Sequence, residues 1–275
     1  MLFDKFMIEK KVCVITGGTG LLGKRHVEAV LEGRGIPVII SKTQSKLEET
    51  KRIFTDKYHL PIEIFSADIT RRKELEDIKN ILVEKYGHID ILINNAANNP
   101  KVEASSANMQ PLHFTDFPLE LWEKDIAVGL TGAFLCCQVF GAVMEKQRCG
   151  VILNISSDYG ILAPDQRLYR VEGIPDEMQK IKPVTYSVVK HAIGGLTKYL
   201  ATYWGDKGIR VNTLCPSGIY DHQDKTFVEK FVKNVPMGRM SLPEEYLGTI
   251  LYMVSDASSF LNGATIVIDG GKSIW

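Results

Sequence analysis

The chain has 275 residues, 45% of them hydrophobic, with 33 Lys and Arg against 33 Asp and Glu. That length suits one large α/β domain or two small ones, and it is ample for a buried core. A formal net charge of zero offers no electrostatic footprint for nucleic acid and no polybasic membrane anchor.

The opening MLFDKFMIEKK is broken by Asp4, Lys5 and Glu9, so it lacks the apolar stretch of a signal peptide. No run approaches the ~18 apolar residues of a membrane helix. Short β-branched runs then alternate with amphipathic stretches. The strands expected are VCVIT (12–16), PVIIS (37–41), IEIFS (62–66), IDILIN (89–94), VILNIS (151–156), IRVNTL (209–214) and ATIVID (264–269). Helices are expected over about 20–34, 44–58, 71–87, 119–147, 184–204, 225–234 and 243–255. Near-continuous apolar strands separated by helices predict an α/β protein with a doubly wound parallel sheet covered on both faces. Seven strands in unbroken alternation favour one domain over 1–275. The cysteines at 13, 136, 137, 149 and 215 lie in apolar or small-residue stretches without metal-like spacing, so they read as reduced, mostly buried thiols of a cytoplasmic protein. The six histidines are scattered and no metal site is expected.

Ligands of such sheets sit outside the carboxyl ends of the strands, so the residues after each strand carry the functional information. After the first strand comes TGGTGLLG (16–23), which opens a helix. Glycines let the backbone approach a pyrophosphate, and the helix start offers free N–H groups and partial positive charge. Gly17, Thr19, Gly20, Leu21 and Leu22 are the expected contacts. After the second strand an NAD site usually has an acidic residue for the ribose 2′-hydroxyl. Here stand Ser41, Lys42 and Thr43, which favour the 2′-phosphate of NADP over NAD, although Lys42 also reads as a solvated surface charge. Asp68-Ile69 and Asn94-Asn95-Ala96-Ala97 follow the third and fourth strands, where small residues and amides suit the adenosine half of a cofactor.

Ser156-Ser157 follows the fifth strand, and the next helix carries Tyr186 and Lys190 on one face at i, i+4. An ammonium ~5 Å from a phenolate at an effective dielectric of ~20 is worth roughly 3 kcal/mol. That would lower a tyrosine pKa of about 10 by roughly two units, into the range useful for proton exchange with a substrate oxygen. With ten tyrosines, about one accidental Y-x-x-x-K is expected, and Tyr203 to Lys207 is a second example. Tyr203 falls where its helix stops, whereas Tyr186 falls in the first turn at the carboxyl end of the sheet.

TGGTGLLG, Asp68-Ile69, NNAA, the Ser157/Tyr186/Lys190 set, Arg210-Val211-Asn212 and the closing Asp269-Gly270-Gly271 occur in that order. This ordered set resembles the short-chain dehydrogenase/reductase family over essentially the whole chain. The resemblance implies a single-domain Rossmann fold with a seven-stranded parallel sheet, a nicotinamide cofactor and hydride transfer between C–OH and C=O. It makes Tyr186 the general acid/base, Ser157 a hydrogen-bond partner of the reacting oxygen, and Lys190 the group that holds the nicotinamide ribose and lowers the Tyr186 pKa. Asn94 and Ala96 would line the cofactor, and Pro216, Gly218 and Ile219 would meet it after the sixth strand. VGLTGAFLC, LAPDQRLYR, KPVTYSVVKH and IDGGKSIW are similar to the branch found in flagellin-modification and nonulosonic-acid gene sets, which implies a sugar, sugar-phosphate or nucleotide-sugar substrate.

The chain departs from the family pattern in places. Gly129 stands where the active-site asparagine is expected, and Leu21 where short members have glycine. Ser157 and Tyr186 are 29 positions apart, and the extra residues at 163–182 carry Arg167, Arg170, Lys180 and Lys182. That insert reads either as a clamp for a substrate anion, with Arg167 and Tyr169 as contacts, or as a charge-balanced surface loop. A polar segment at 98–117, beginning with Asn98, and residues 216–226 are the other expected substrate walls. Two other functions fit parts of the pattern: a nucleotide-sugar epimerase or dehydratase, from the glycine spacing, and a cofactor-binding protein without turnover, from Gly129. Small residues at Gly129, Gly132, Ala133, Cys136 and Gly141, and at Ala192, Gly194 and Gly195, allow close helix packing. With the resemblance, they suggest a homodimer or homotetramer built on these helices.

Overall fold

A computed structural model describes residues 1–98 and 112–274. Residues 99–111, most of the expected wall at 98–117, lie outside the described residues, as does Trp275. The strands are β1 (Val12–Thr16), β2 (Ile36–Ser41), β3 (Glu63–Ser66), β4 (Ile91–Asn94), β5 (Gly150–Ile155), β6 (Ile209–Pro216) and β7 (Thr265–Ile268). They form one seven-stranded sheet in the order β3-β2-β1-β4-β5-β6-β7, every pair parallel. This is the doubly wound Rossmann arrangement expected from the sequence.

Alternation along each strand explains why the runs are apolar throughout. Val12, Val14, Val38, Ile40, Leu92, Ile152 and Val211 point to one face; Cys13, Ile15, Ile39, Ile91, Ile93, Leu153 and Leu214 point to the other. The first face is covered by α3 (Arg72–Tyr86), α5 (Gly132–Gln147) and α6 (Val184–Tyr203), through Leu75, Leu82, Phe140, Met144 and Leu200. The second is covered by α1 (Leu21–Glu32), α2 (Gln44–Tyr58) and α8 (Leu247–Val254), through Val27, Leu31, Leu47, Phe54, Ile250 and Met253. Two further helices, α4 (Leu119–Ile126) and α7 (Lys225–Val232), lie beside the carboxyl-end loops. Gly87 ends α3 at φ +80°, in the left-handed region that favours glycine.

Helix α4 runs into α5 through a π-helical turn, Ala127–Thr131, with Gly129 inside it. By length and composition this continuous run, Leu119–Gln147, is long and apolar enough to cross a membrane, which inspection of the sequence does not show. Cys136, Cys137, Phe140 and Met144 place its apolar side in the core.

Packing also corrects the expected subunit contact on α5. Gly129, Gly132, Ala133, Cys136 and Gly141 are buried within the domain. A Cβ at 129, 132 or 141 would lie 2.5 Å from Val189, 2.6 Å from Ile69 or 2.4 Å from Trp204. These small residues serve the chain's own close packing. On α6 the glycines are open: nothing lies within 4 Å of a Cβ at Gly194 or Gly195.

Candidate active site

The strand order reverses on either side of β1, which opens a crevice between β1 and β4 at their carboxyl ends. A cleft of about 650 Å³ occupies this position and runs from the glycine turn to α6. At its first end, Gly17 takes φ +65°, and a Cβ there would touch Ala96 Cα at 3.0 Å. A Cβ at Gly23 would lie 2.1 Å from the Gly17 carbonyl oxygen, so the turn closes only with glycine. Gly20 caps α1 without a side-chain hydrogen bond, leaving the helix start turned to the cleft. The cradle has the narrow backbone and free N–H groups that a dinucleotide pyrophosphate needs.

Behind the cradle, Asn95 donates from Nδ2 to the carbonyls of Thr16 and Gly17, both at 3.1 Å. Its Oδ1 is 3.1 Å from His26 Nε2, and burial holds the His26 pKa down to about 4. The neutral ring therefore donates to Asn95, which pins the glycine turn. His26 went unnoticed in the sequence; the NNAA run pointed to Asn95 as one of a pair, but not to which amide turns inward.

Most expected cofactor contacts line the cleft: Gly17, Thr19, Gly20, Leu21, Leu22, Ser41, Lys42, Ile69, Ala96, Pro216, Gly218 and Ile219. Three do not. Asn94 turns under the sheet, donating to Asn154 Oδ1 at 2.8 Å. Asp68 is drawn away by Lys42 Nζ at 2.8 Å and by the backbone and hydroxyl of Thr70. These partners hold its carboxyl down to about 2 against the opposing effect of burial, which is the largest single influence. Thr43 sits exposed at the N-cap of α2.

At the other end of the cleft stand Ser157, Tyr186 and Lys190. Ser157 follows β5; Tyr186 and Lys190 project from the first turns of α6, which starts after Pro183. Ser157 Oγ donates to Asp158 Oδ1 at 2.8 Å and accepts from the Tyr159 N–H at 3.2 Å. Lys190 Nζ donates to the Ile155 carbonyl at 2.9 Å and lies 5.7 Å from the Tyr186 ring centre. The expected lowering of the tyrosine pKa is not found. Burial pushes Tyr186 up to about 12, and the nearby Ser157 hydroxyl opposes this only in part. Burial also lowers Lys190 to about 8, so its charge is itself disfavoured in this pocket.

A second ammonium, Lys182, stands 4.0 Å from the Tyr186 ring centre. The insert at 163–182 is a folded element. Gln166 clamps residue 182, accepting from its N–H at 2.8 Å and donating to its carbonyl at 3.2 Å. Gln179 likewise holds Val171 and Ile174. Tyr169 is buried against Phe227 and lines the cleft. Arg167 does not: it is exposed and held by Asp165, Nε to Oδ1 at 2.9 Å. Asn98 lines the cleft and donates to Asp125 Oδ1 at 2.9 Å, while Thr185 donates to Asp125 Oδ2 at 2.6 Å. A small void of about 10 Å³ between these residues, Gly129, Tyr186 and Lys190 extends the site toward α4.

The second Y-x-x-x-K pair, Tyr203 and Lys207, does not line this cleft. Tyr203 is half exposed and stacks on Tyr199, with Lys207 5.1 Å from its ring centre.

A Rossmann sheet, a glycine cradle at the switch point and a Ser-Tyr-Lys group in the same cleft define a dinucleotide-dependent α/β oxidoreductase. Comparison with known proteins sharpens the class. The short chain dehydrogenase profile matches residues 11–169, and one described as enoyl-(acyl carrier protein) reductase matches 177–273. The chain belongs to the short-chain dehydrogenase family. It is 30% identical to a 2-dehydro-3-deoxy-D-gluconate 5-dehydrogenase of Bacillus subtilis, over 98% of this chain and 97% of that one. It is 28% identical to post-translational flagellin modification protein A of Campylobacter coli, over 96% and 99%. The crystal structure of a short-chain dehydrogenase from Leptospira borgpetersenii with bound NAD⁺ superposes with a TM-score of 0.82 at 30% identity, covering 98% of this chain and 95% of that one.

Proposed function

We propose that this chain is an NAD(P)-dependent oxidoreductase interconverting an alcohol and a ketone on a sugar-like substrate. The observation that carries the reading is that Ser157, Tyr186 and Lys190 share one continuous cleft with the glycine cradle of β1 and α1. The bound nicotinamide supplies the hydride acceptor in oxidation and the hydride donor in reduction. Ser157 hydrogen-bonds the reacting oxygen. Tyr186 takes the hydroxyl proton as the C–H electron pair leaves as hydride, and returns a proton to the oxygen in reduction. Lys190, one turn further along α6, would hold the nicotinamide ribose. NADP is favoured over NAD because Ser41 and Lys42 line the adenosine end, and no acidic side chain among the described residues of β2 or its turn does so.

The names of two relatives, one acting on a gluconate derivative and one involved in flagellin modification, support a sugar-like substrate in surface-glycan or related carbohydrate metabolism. Tyr169 and Asn98 form its walls together with the segment after β6. The assembly is a homodimer or homotetramer in which α6 contributes Gly194, Gly195 and the exposed Val188 and Tyr199. Absorbance at the reduced-nicotinamide band, followed with both cofactors against keto- and amino-sugars, their phosphates and nucleotide conjugates, tests the reading. Cofactor-dependent turnover supports it; cofactor binding without turnover across that panel contradicts it.

A further inference from the structure

Resting on the reading that Tyr186 is the proton-transfer group, we propose that Asp125 is a positioning residue for this reaction. Its carboxylate, on α4, holds the first turn of α6, and with it Tyr186, through the hydroxyl of Thr185. Thr185 Oγ1 donates to Asp125 Oδ2 at 2.6 Å. Thr185 directly precedes Tyr186 and is only 1% exposed, so this bond is made inside the protein. The second carboxylate oxygen, Oδ1, accepts from Asn98 Nδ2 at 2.9 Å, which fixes Asp125 from the side of the segment after β4. Three segments far apart in the chain therefore meet at one side chain beside the reaction centre.

The start of α6 needs such a tie. The helix opens at Pro183, whose ring has no group to offer the free N–H groups of the first turn. The Tyr186 N–H reaches back to the Pro183 carbonyl at 3.3 Å, a long bond. Helix ends held in this way fray unless tertiary contacts fix them. An O–H···O⁻ bond is roughly twice as strong as a neutral one, and the helix dipole favours negative charge at a helix N-terminus. Gly129, four residues after Asp125, shows how closely the helices approach. A Cβ there would lie 2.5 Å from Val189 Cγ1, so no side chain at 129 fits between α6 and the π-helical turn. The polar link to α6 is made one turn earlier instead, by Asp125. A void of about 10 Å³ lies between Asp125, Thr185, Gly129, Tyr186 and Lys190. With the Asp125 bond cut, the first turn of α6 has that space to shift into. A misplacement of about 1 Å costs roughly a hundredfold in rate, and a void this small permits only part of that shift.

The test measures kcat and KM by nicotinamide absorbance, with the sugar that turns over best, for the unaltered protein, Thr185→Val, Thr185→Ser, Asp125→Ala and Asp125→Ala/Thr185→Val. Retained cofactor binding reports folding in each. Thr185→Val removes the hydroxyl and keeps the shape; it should lower kcat about tenfold while KM and cofactor affinity change by less than about twofold. Thr185→Ser keeps the hydroxyl and should restore kcat. Asp125→Ala should lose at least as much as Thr185→Val, and adding Thr185→Val to it should cost nothing more. An unaltered kcat in Thr185→Val, a serine variant no better than the valine, or a double variant whose loss is the product of the single losses would overturn the proposal. If Asp125→Ala does not fold, the valine and serine variants decide alone. If no sugar turns over in the unaltered protein, the oxidoreductase reading fails on its own, and hydrogen exchange over residues 184–190 decides the tie. Exchange faster in Thr185→Val, confined to that turn and slowed again in Thr185→Ser, upholds it; exchange indifferent to residue 185 overturns it.

Discussion

Lys272, three residues from the end of the chain, places its Nζ 2.7 Å from Oδ2 of Asp158, the residue after the candidate catalytic serine. Both side chains are buried, at 8% and 5% exposure, and the ammonium also sits 4.6 Å from the Tyr159 ring centre. The C-terminal turn is thus wired to the floor of the cleft. Removing one member of such a pair strands the other charge, at a cost of about 3–5 kcal/mol. Lys272→Met should lower stability by that order, and the double variant Lys272→Met/Asp158→Asn should recover part of it. Chemical denaturation of the four proteins checks this; strictly additive losses would contradict the coupling.

Gly129 and Val189 occupy one space. A Cβ at 129 would meet Val189 Cγ1 at 2.5 Å, and a valine in a helix has little rotamer freedom to yield. Gly129→Asn should therefore cost about 1–3 kcal/mol by overpacking. Adding Val189→Ala should restore most of that loss. Thermal unfolding of both variants distinguishes this from a helix-propensity effect, under which asparagine would stabilise.

Lys42 has two claimants, Asp68 at 2.8 Å and the ribose phosphate of NADP. Asp68→Asn releases the ammonium, so the preference for NADPH over NADH in binding should rise by about three- to tenfold. Lys42→Ala should shift the same ratio the other way. Fluorescence titration with each reduced cofactor measures it, and a ratio unmoved by either substitution would remove Lys42 from cofactor choice.

His26 gives the fold a pH dependence. Its pKa is about 4 in the folded chain and about 6.5 in an unfolded one. Between these values the unfolded chain holds more protons, so stability is complete above about pH 6.5 and falls as the pH drops toward 4. From about pH 7.5 to about pH 5 the loss should be about 2 kcal/mol, and His26→Leu should remove that increment. Urea unfolding at the two pH values measures it; an unchanged slope in the variant would assign the dependence elsewhere.

The strand-helix alternation was legible because buried parallel strands are apolar at every position and the helices between them are amphipathic. Tyr186 was separable from Tyr203 by its place at a strand's carboxyl end. Side-chain direction was not legible. Asn94 and Asn95 are neighbours of one type, yet the pleat sends one beneath the sheet and the other to the cleft. Arg167 and Lys182 are two cations of one insert, and only the folded clamps at Gln166 and Gln179, together with Asp165, decide which of them reaches the site. The Tyr186 pKa was misjudged because charge proximity can be read from i, i+4 spacing, whereas burial depends on the whole fold.

The central claim is that Tyr186 moves the proton of an oxidoreductase reaction. Single-turnover nicotinamide absorbance, with cofactor binding measured in parallel, tests it on Tyr186→Phe and Tyr203→Phe. Loss of about a thousandfold or more in rate is expected for Tyr186→Phe with cofactor still bound, while Tyr203→Phe turns over normally. A Tyr186→Phe protein that retains its rate would contradict the account.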